Sequence, residues 1–196
     1  PGQSVAQQSV IDSLRQRATS TDDDSLRMRL YCDLSDRLQY GNVDSALMYA
    51  ERCLDIAERR NNDWWTAAGH RLSGLAFLEM GSQKEAMDAF QQSLLIYERI
   101  VDEERMPTVQ QNIGMAWWRK GVYDSALACM HGARTTFESD TNMRALAHCL
   151  MNLGAVYHEM GDLPNALDYT HRSWTVFKDL GDRLLMAQCL VNLGNI

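Results

Sequence analysis

Asn-Leu-Gly-Ala-Val-Tyr-His-Glu-Met-Gly at 152–161 has a counterpart forty residues earlier, Asn-Ile-Gly-Met-Ala-Trp-Trp-Arg-Lys-Gly at 112–121, and begins once more at Asn192. Gly41, Gly81, Gly121 and Gly161 keep the same step, as do Gly74, Gly114, Gly154 and Gly194, and Ala46, Ala86, Ala126 and Ala166. A period of this length constrains the fold more than any bulk property. Each repeat is one supersecondary unit that cannot bury its apolar face alone, so units must stack. Abundant Leu, Ala, Met and Arg, with three prolines in 196 residues, make the units helical.

Each unit reads as helix A, a tight turn at the second Gly, and helix B. The turn Gly supplies the left-handed backbone that ends helix A. Asp44, Asp124 and Asp162 are placed to cap helix B or open its first turn, where Pro164 also fits. The first Gly and the Ala lack bulk, so the two helices of a unit can approach closely. Phe77, Trp117 and Tyr157, three residues after that Gly, fill the space beside the contact. The first unit departs from the pattern. Leu34 replaces the small Gly and Arg37 the aromatic, so its helix pair is expected to be splayed or more solvated. Before it, Val10, Ile11, Leu14 and Ala18 recur at helical spacing, as in a capping helix.

The small Gly, aromatic, turn Gly and small Ala form the pattern of the tetratricopeptide repeat, and the chain resembles that family from about residue 25 to its end. The resemblance implies an all-α fold, a right-handed superhelix of antiparallel helix pairs (a TPR-like α-solenoid). Residues 1–24 are then an N-terminal capping helix and acidic linker. Residues 25–196 are the array, four helix pairs plus a fifth helix A. The stretch 11–60, with its short leading helix, acidic linker and Asp-Ser-Ala-Leu-Met-Tyr-Ala-Glu-Arg-Cys-Leu-Asp-Ile-Ala, also resembles sensor regions of bacterial membrane-anchored signalling regulators. Those carry such arrays outside the membrane, ahead of a histidine-kinase or helix-turn-helix output. This likeness favours an extracytoplasmic location, periplasmic in particular, over a cytoplasmic one.

A helical wheel separates the core from the working face. Advancing about 100° per residue from Gly154, Leu150, Leu153 and Tyr157 fall on one flank, at roughly 260–320°. Met151, Asn152, Ala155 and Glu159 fall on the other, at roughly 60–160°. Stacking would align these second flanks along a concave wall of the kind solenoids use for binding. The expected peptide-binding set is Arg71, Leu75, Gln111, Asn112, Met115, Trp118, Arg119, Met151, Asn152, Ala155, His158, Glu159, Asn192 and Asn195.

Asn112, Asn152 and Asn192 are its most specific members. Asn is a poor helix former, so its return in mid-helix asks for a reason. An amide that donates and accepts at once suits the backbone of an extended peptide, and the tetratricopeptide resemblance implies that use. The other reading is an interhelical hydrogen bond between successive A helices. Trp118 falls near the groove edge as a candidate anchor. Trp64 and Trp65 are expected to cover the preceding B helix.

The rest of the sequence narrows the function by exclusion. A net charge of −7 with no basic run argues against nucleic acid. No apolar run approaches the roughly 18 residues of a membrane span. The chain opens on Pro1 and ends within a repeat, which leaves room for a targeting or anchoring segment outside it. Thr-Ser-Thr-Asp-Asp-Asp at 19–24 lacks the central Gly and later carboxylates of a calcium loop and reads as a linker with a helix cap. His148 and His158 lie about 15 Å apart along one helix and cannot share a metal. There is no phosphate loop, nucleophile elbow or HExxH.

Five cysteines include no CxxC, and helix axes packed about 8–10 Å apart are expected to keep them from pairing. The expected function is therefore a non-enzymatic module that binds a protein or peptide segment, without metal or cofactor. A structural or oligomerisation scaffold is the alternative. Leu190 and Leu193, uncovered on the last helix, are expected to favour a homo-oligomer.

Overall fold

A computed structural model describes residues 5–139 and 141–196. Among them lie the helices α1 (Val5–Ser20), α2 (Asp24–Leu38), α3 (Val43–Arg59), α4 (Asp63–Glu79), α5 (Gln83–Arg99), α6 (Met106–Arg119), α7 (Tyr123–Ser139), α8 (Met143–Glu159), α9 (Leu163–Asp179) and α10 (Arg183–Asn195), with no strand. The chain divides into two compact units, Pro1–Glu103 and Glu104–Ile196.

Helix boundaries follow from local chemistry. Asp23, Asn42, Asn62, Asn142, Asp162 and Asp182 each accept a backbone N–H of the first turn they precede. Such caps contribute about 0.5–2 kcal/mol apiece. Asp44 and Asp124 instead stand inside the first turns of α3 and α7. Between helix A and helix B, Gly81, Gly121 and Gly161 adopt φ of 78°, 78° and 79°. The next N–H then reaches back to the repeat aromatic, as in Ser82 to Phe77 O, Val122 to Trp117 O and Asp162 to Tyr157 O. Three returns from helix B to the following helix A use the same conformation with other residues, Asn61, Val101 and Thr141 at φ 50°, 56° and 55°, and the return to α10 uses Gly181 at 71°. A β-branched residue held there costs about 1–2 kcal/mol.

In the first unit, α1 packs on α2, α2 on α3, α3 on α4 and α4 on α5, and α2 also touches α4. Ile11 and Ala18 of α1 are fully buried with Leu30, Leu34, Leu38 and Ala46, whereas Val10 is 42% exposed and lies off that face. The expectation of a solvated first pair fails. Leu34 is wholly buried between α1 and α3, because the extra helix supplies a core where the missing Gly would have left a seam. Arg37 points to solvent. Trp65 covers Cys53, Ile56 and Ala57 of α3, and Trp64 Nε1 donates to Asp102 at 2.9 Å.

In the second unit, α6 packs on α7, α7 on α8, α8 on α9 and α9 on α10, and α6 touches α8. Phe137, Leu150, Leu153, Val156 and Met130 form its main core, and Phe177 and Cys189 a second. Polar ties repeat with the helices. Ser93 Oγ donates to Ala67 O at 2.8 Å in the first unit, and Ser173 Oγ to Ala147 O at 2.7 Å in the second.

All five cysteines are free thiols. The separation expected from axis distances does not hold for one pair, since Cys32 Sγ and Cys53 Sγ are 3.3 Å apart. Both side chains enter the same α2–α3 seam, so their reach closes the gap that axis spacing leaves.

The repeat Gly of helix A is where the two helices of a pair meet. A Cβ on Gly74 would lie 2.6 Å from the Phe90 ring, and one on Gly154 would lie 2.4 Å from Thr170 Oγ1 and 3.2 Å from Thr170 N. At Gly194 it would meet nothing within 4 Å. Gly154→Ala should therefore cost about 1–3 kcal/mol by overpacking, while Gly194→Ala should leave stability unchanged or raise it by up to about 1 kcal/mol. Urea unfolding midpoints of the two variants distinguish a helix-crossing position from an open one with the same sequence signature.

Candidate functional site

The sequence-expected binding residues divide between the two units. In the first, Arg71 and Leu75 project from α4. Arg71 is half-buried, and its charge acts on the Cys32 thiol across the α2–α4 contact. Leu75 is 7% exposed, so it belongs to the wall rather than to its surface.

In the second unit, the α6 members go inward. Gln111 and Asn112 are buried, at 8% and 6% exposure. Asn112 Nδ2 has no hydrogen-bond partner. Met115 and Trp118 are half-buried against the main core of the unit. Trp118 Nε1 donates to Glu159 Oε2 at 2.9 Å, and Tyr123 OH reaches the same oxygen at 3.5 Å. Trp118 thus links α6 to the end of α8 by its indole nitrogen while its ring packs, and Arg119 beside it is exposed.

The α8 and α10 members converge. Ala155, His158, Asn192 and Asn195, with Gly154, Thr170 and Ile196, line a cavity of about 100 Å³. Asn152 is half-buried one turn earlier, and Met151 packs toward Phe177 and Cys189. The bond found at Asn192 is intrahelical, from Gln188 Nε2 at 3.2 Å. The lining offers amides, an imidazole and a hydroxyl, with no carboxylate. Such groups complement the neutral N–H and C=O groups of a peptide backbone.

Gly154, Thr170 and Ile196 are lining residues outside the expected set, and Thr170 is the one among them with a polar side chain. Phe90, Met130 and Thr170 stand forty apart on successive B helices, each against the repeat Gly of its partner helix. The third breaks an apolar series with a hydroxyl, and that break was a readable sign.

Nearby, on the α7–α9 side, Tyr157 and Tyr169 stack at 5.3 Å and Tyr157 OH meets His131 Nε2 at 3.1 Å. Burial, helped by the Arg134 charge, holds the His131 pKa below its usual value. This cluster fills the space beside the helix crossing and opens on no cavity that the candidate residues line. No group of three or more His, Cys, Asp or Glu among the described residues is arranged to hold a metal ion. No described helix is long and apolar enough to cross a membrane.

Comparison with known families agrees with this repeat geometry. Residues 4–93 match the family model of the SusR N-terminal TPR domain, and residues 146–179 match that of a tetratricopeptide repeat. The chain is a tetratricopeptide-repeat protein. Its fold class is all-α and TPR-like, built from antiparallel helix pairs.

No curated protein sequence matches it. Among solved structures, aspartyl phosphate phosphatase F from Bacillus subtilis is similar at TM-score 0.75 and 16% identity, over 93% of this chain and 49% of that one. A Rap protein complexed with Competence and Sporulation Factor is similar at TM-score 0.78 and 13% identity, over 94% and 58%. NprR in complex with its cognate peptide NprX is similar at TM-score 0.68 and 17% identity, over 97% and 57%. This tetratricopeptide-repeat chain thus spans about half the length of the first of these proteins.

The buried amide of Asn112 tests whether the asparagine positions hold the helices together. With its Nδ2 unpartnered and Ala the better helix former, Asn112→Ala should leave stability unchanged or raise it by about 0.5–1 kcal/mol. Thermal melts of this single variant provide the check. A fall of many degrees would assign Asn112 to interhelical bonding.

Proposed function

We propose that this tetratricopeptide-repeat chain is a non-enzymatic module that binds a peptide or protein segment. We infer further that it is the sensor or interaction part of a bacterial signalling regulator, on the extracytoplasmic side that the resemblance of residues 11–60 favours. The observation that carries the reading is the convergence of Ala155, His158, Asn192 and Asn195 on one cavity, with Thr170 at its side. His158, Asn192 and Asn195 bring hydrogen-bonding groups from successive A helices, and Thr170 adds a hydroxyl from the B helix between them. The SusR N-terminal TPR match over residues 4–93 supports the tetratricopeptide array on which this reading rests. The complexes of a Rap protein with Competence and Sporulation Factor and of NprR with its cognate peptide NprX, both similar in fold, support a ligand of this kind.

The probe is a displayed library of random-sequence peptides, from which a binder is selected against the wild-type chain. Asn152→Ala with Asn192→Ala should then weaken that binder about ten- to hundredfold, since each amide supplies bonds worth about 0.5–1.5 kcal/mol. The melting temperature should hold. Failure to select any peptide, or equal binding by both proteins, would count against the assignment.

One observation favours the scaffold reading. On α10, Leu184, Leu190 and Val191 are 80%, 55% and 58% exposed, an apolar strip of the kind that seeks cover. If this helix associates with a second copy, sedimentation should show a concentration-dependent dimer that Leu190→Glu dissolves. A monomer at all concentrations removes this reading.

A further inference from the structure

Cys32 and Cys53 are the two residues of the α2–α3 seam with chemistry that peptide binding does not use. Their sulfurs lie 3.3 Å apart, on helices that run antiparallel through a packed core. A disulfide bond is about 2.0 Å long, so closing it needs an approach of only about 1.3 Å. Each thiol occupies a defined place in the repeat. Cys53 stands forty, eighty and one hundred and twenty residues before Ser93, Ala133 and Ser173, the small buried positions of the later B helices. Cys32 stands eighty residues before Asn112, in register with Asn152 and Asn192. Cys32 is half-buried whereas Cys53 is fully buried, so Cys32 is the more accessible residue of the two.

We propose that Cys32 and Cys53 are a redox-active pair that closes an α2–α3 disulfide when the chain meets a disulfide oxidant. The reaction is two thiol–disulfide exchanges. The Cys32 thiolate attacks an external disulfide, forming a mixed disulfide and releasing one external thiolate. The Cys53 thiolate then attacks Cys32 Sγ and expels the second. Two protein thiols lose two electrons and two protons, and one external disulfide becomes two thiols.

The mutual hydrogen bond and burial push the Cys32 pKa well above that of a free thiol, although the Arg71 charge works the other way. The first step is therefore slow at neutral pH and quickens as pH rises. The remaining cysteines have no such arrangement. Cys149 Sγ is engaged with Met130 O at 3.2 Å and burial pushes its pKa to about 12, while Cys189 Sγ lies beside the Ser173 hydroxyl.

The bond would tie α2 to α3 across the 21-residue separation of the pair. It would do so at the sequence position that Asn112, Asn152 and Asn192 hold in later repeats. This proposal stands whether or not the array binds a peptide, because it rests on the seam alone.

The experiment treats the native chain with oxidised glutathione at neutral and mildly alkaline pH, quenches with acid, and maps peptides without reduction. Three of the five thiols should remain titratable, and one linked peptide should join Cys32 to Cys53. The melting temperature should rise by about 5 °C or more over the dithiothreitol-treated chain. Cys53→Ser should fold, since Ser93 and Ser173 already occupy that position, and should show no oxidant-dependent shift. Five titratable thiols after oxidation would overturn the proposal. So would a glutathione adduct on Cys32 that Cys53 never displaces, or a linkage confined to other cysteines.

Discussion

Everything in this molecule depends on how closely the two helices of a repeat can cross. Where helix A carries Gly74, Gly114 or Gly154, the partner helix comes so near that a single methyl group would collide with Phe90, Met130 or Thr170. That contact fixes which face of helix A is turned inward. The opposite flank is left to neighbouring helices and to solvent, so that Asn112 is buried while Asn152 and Asn192 are half-buried. The crossing is set by the absence of an atom. The chemistry of the face is free to vary without disturbing it.

Each repeat meets this constraint in its own way. In the first, Leu34 takes the place of the Gly, and α1 supplies the cover that a closer crossing would have given. In the fourth pair, Thr170 replaces the bulky apolar partner, and a cavity lined by Ala155, His158, Asn192 and Asn195 lies beside it. A smaller and more polar residue at a crossing thus gives a place for another molecule's polar groups, where a phenyl or thioether group would have filled it. The stabilising contact and the candidate site are therefore two uses of one position.

Much of this was legible in the sequence, for a physical reason. A forty-residue period repeats the backbone requirement itself, so Gly81, Gly121 and Gly161 announce their left-handed turns and Asp162 its cap. The candidate site was legible only in part. The wheel places Asn112 and Asn152 at the same angle, yet the first is buried and the second half-buried, because depth depends on neighbouring helices that an angle does not encode. Leu75 was assigned to the surface for the same reason. The approach of Cys32 to Cys53 was misjudged from axis spacing, which ignores the direction in which two side chains lean. Asn61, Val101 and Thr141, left-handed without being glycine, gave no sign at all, since the return loops impose that conformation on whatever residue stands there.

Those return loops have a consequence for how such a chain grows. Asn62 caps α4 and its N–H reaches back to Ala57 O, so the stop of one helix and the start of the next are written within six residues. The same holds around Asn142 and Asp182. No distant segment is needed to end a helix or begin one. A gene encoding this chain can therefore gain or lose a whole forty-residue unit by recombination, and a junction formed at Asn62, Asn142 or Asp182 carries its own punctuation. What selection must then adjust is the chemistry of the exposed face, one repeat at a time.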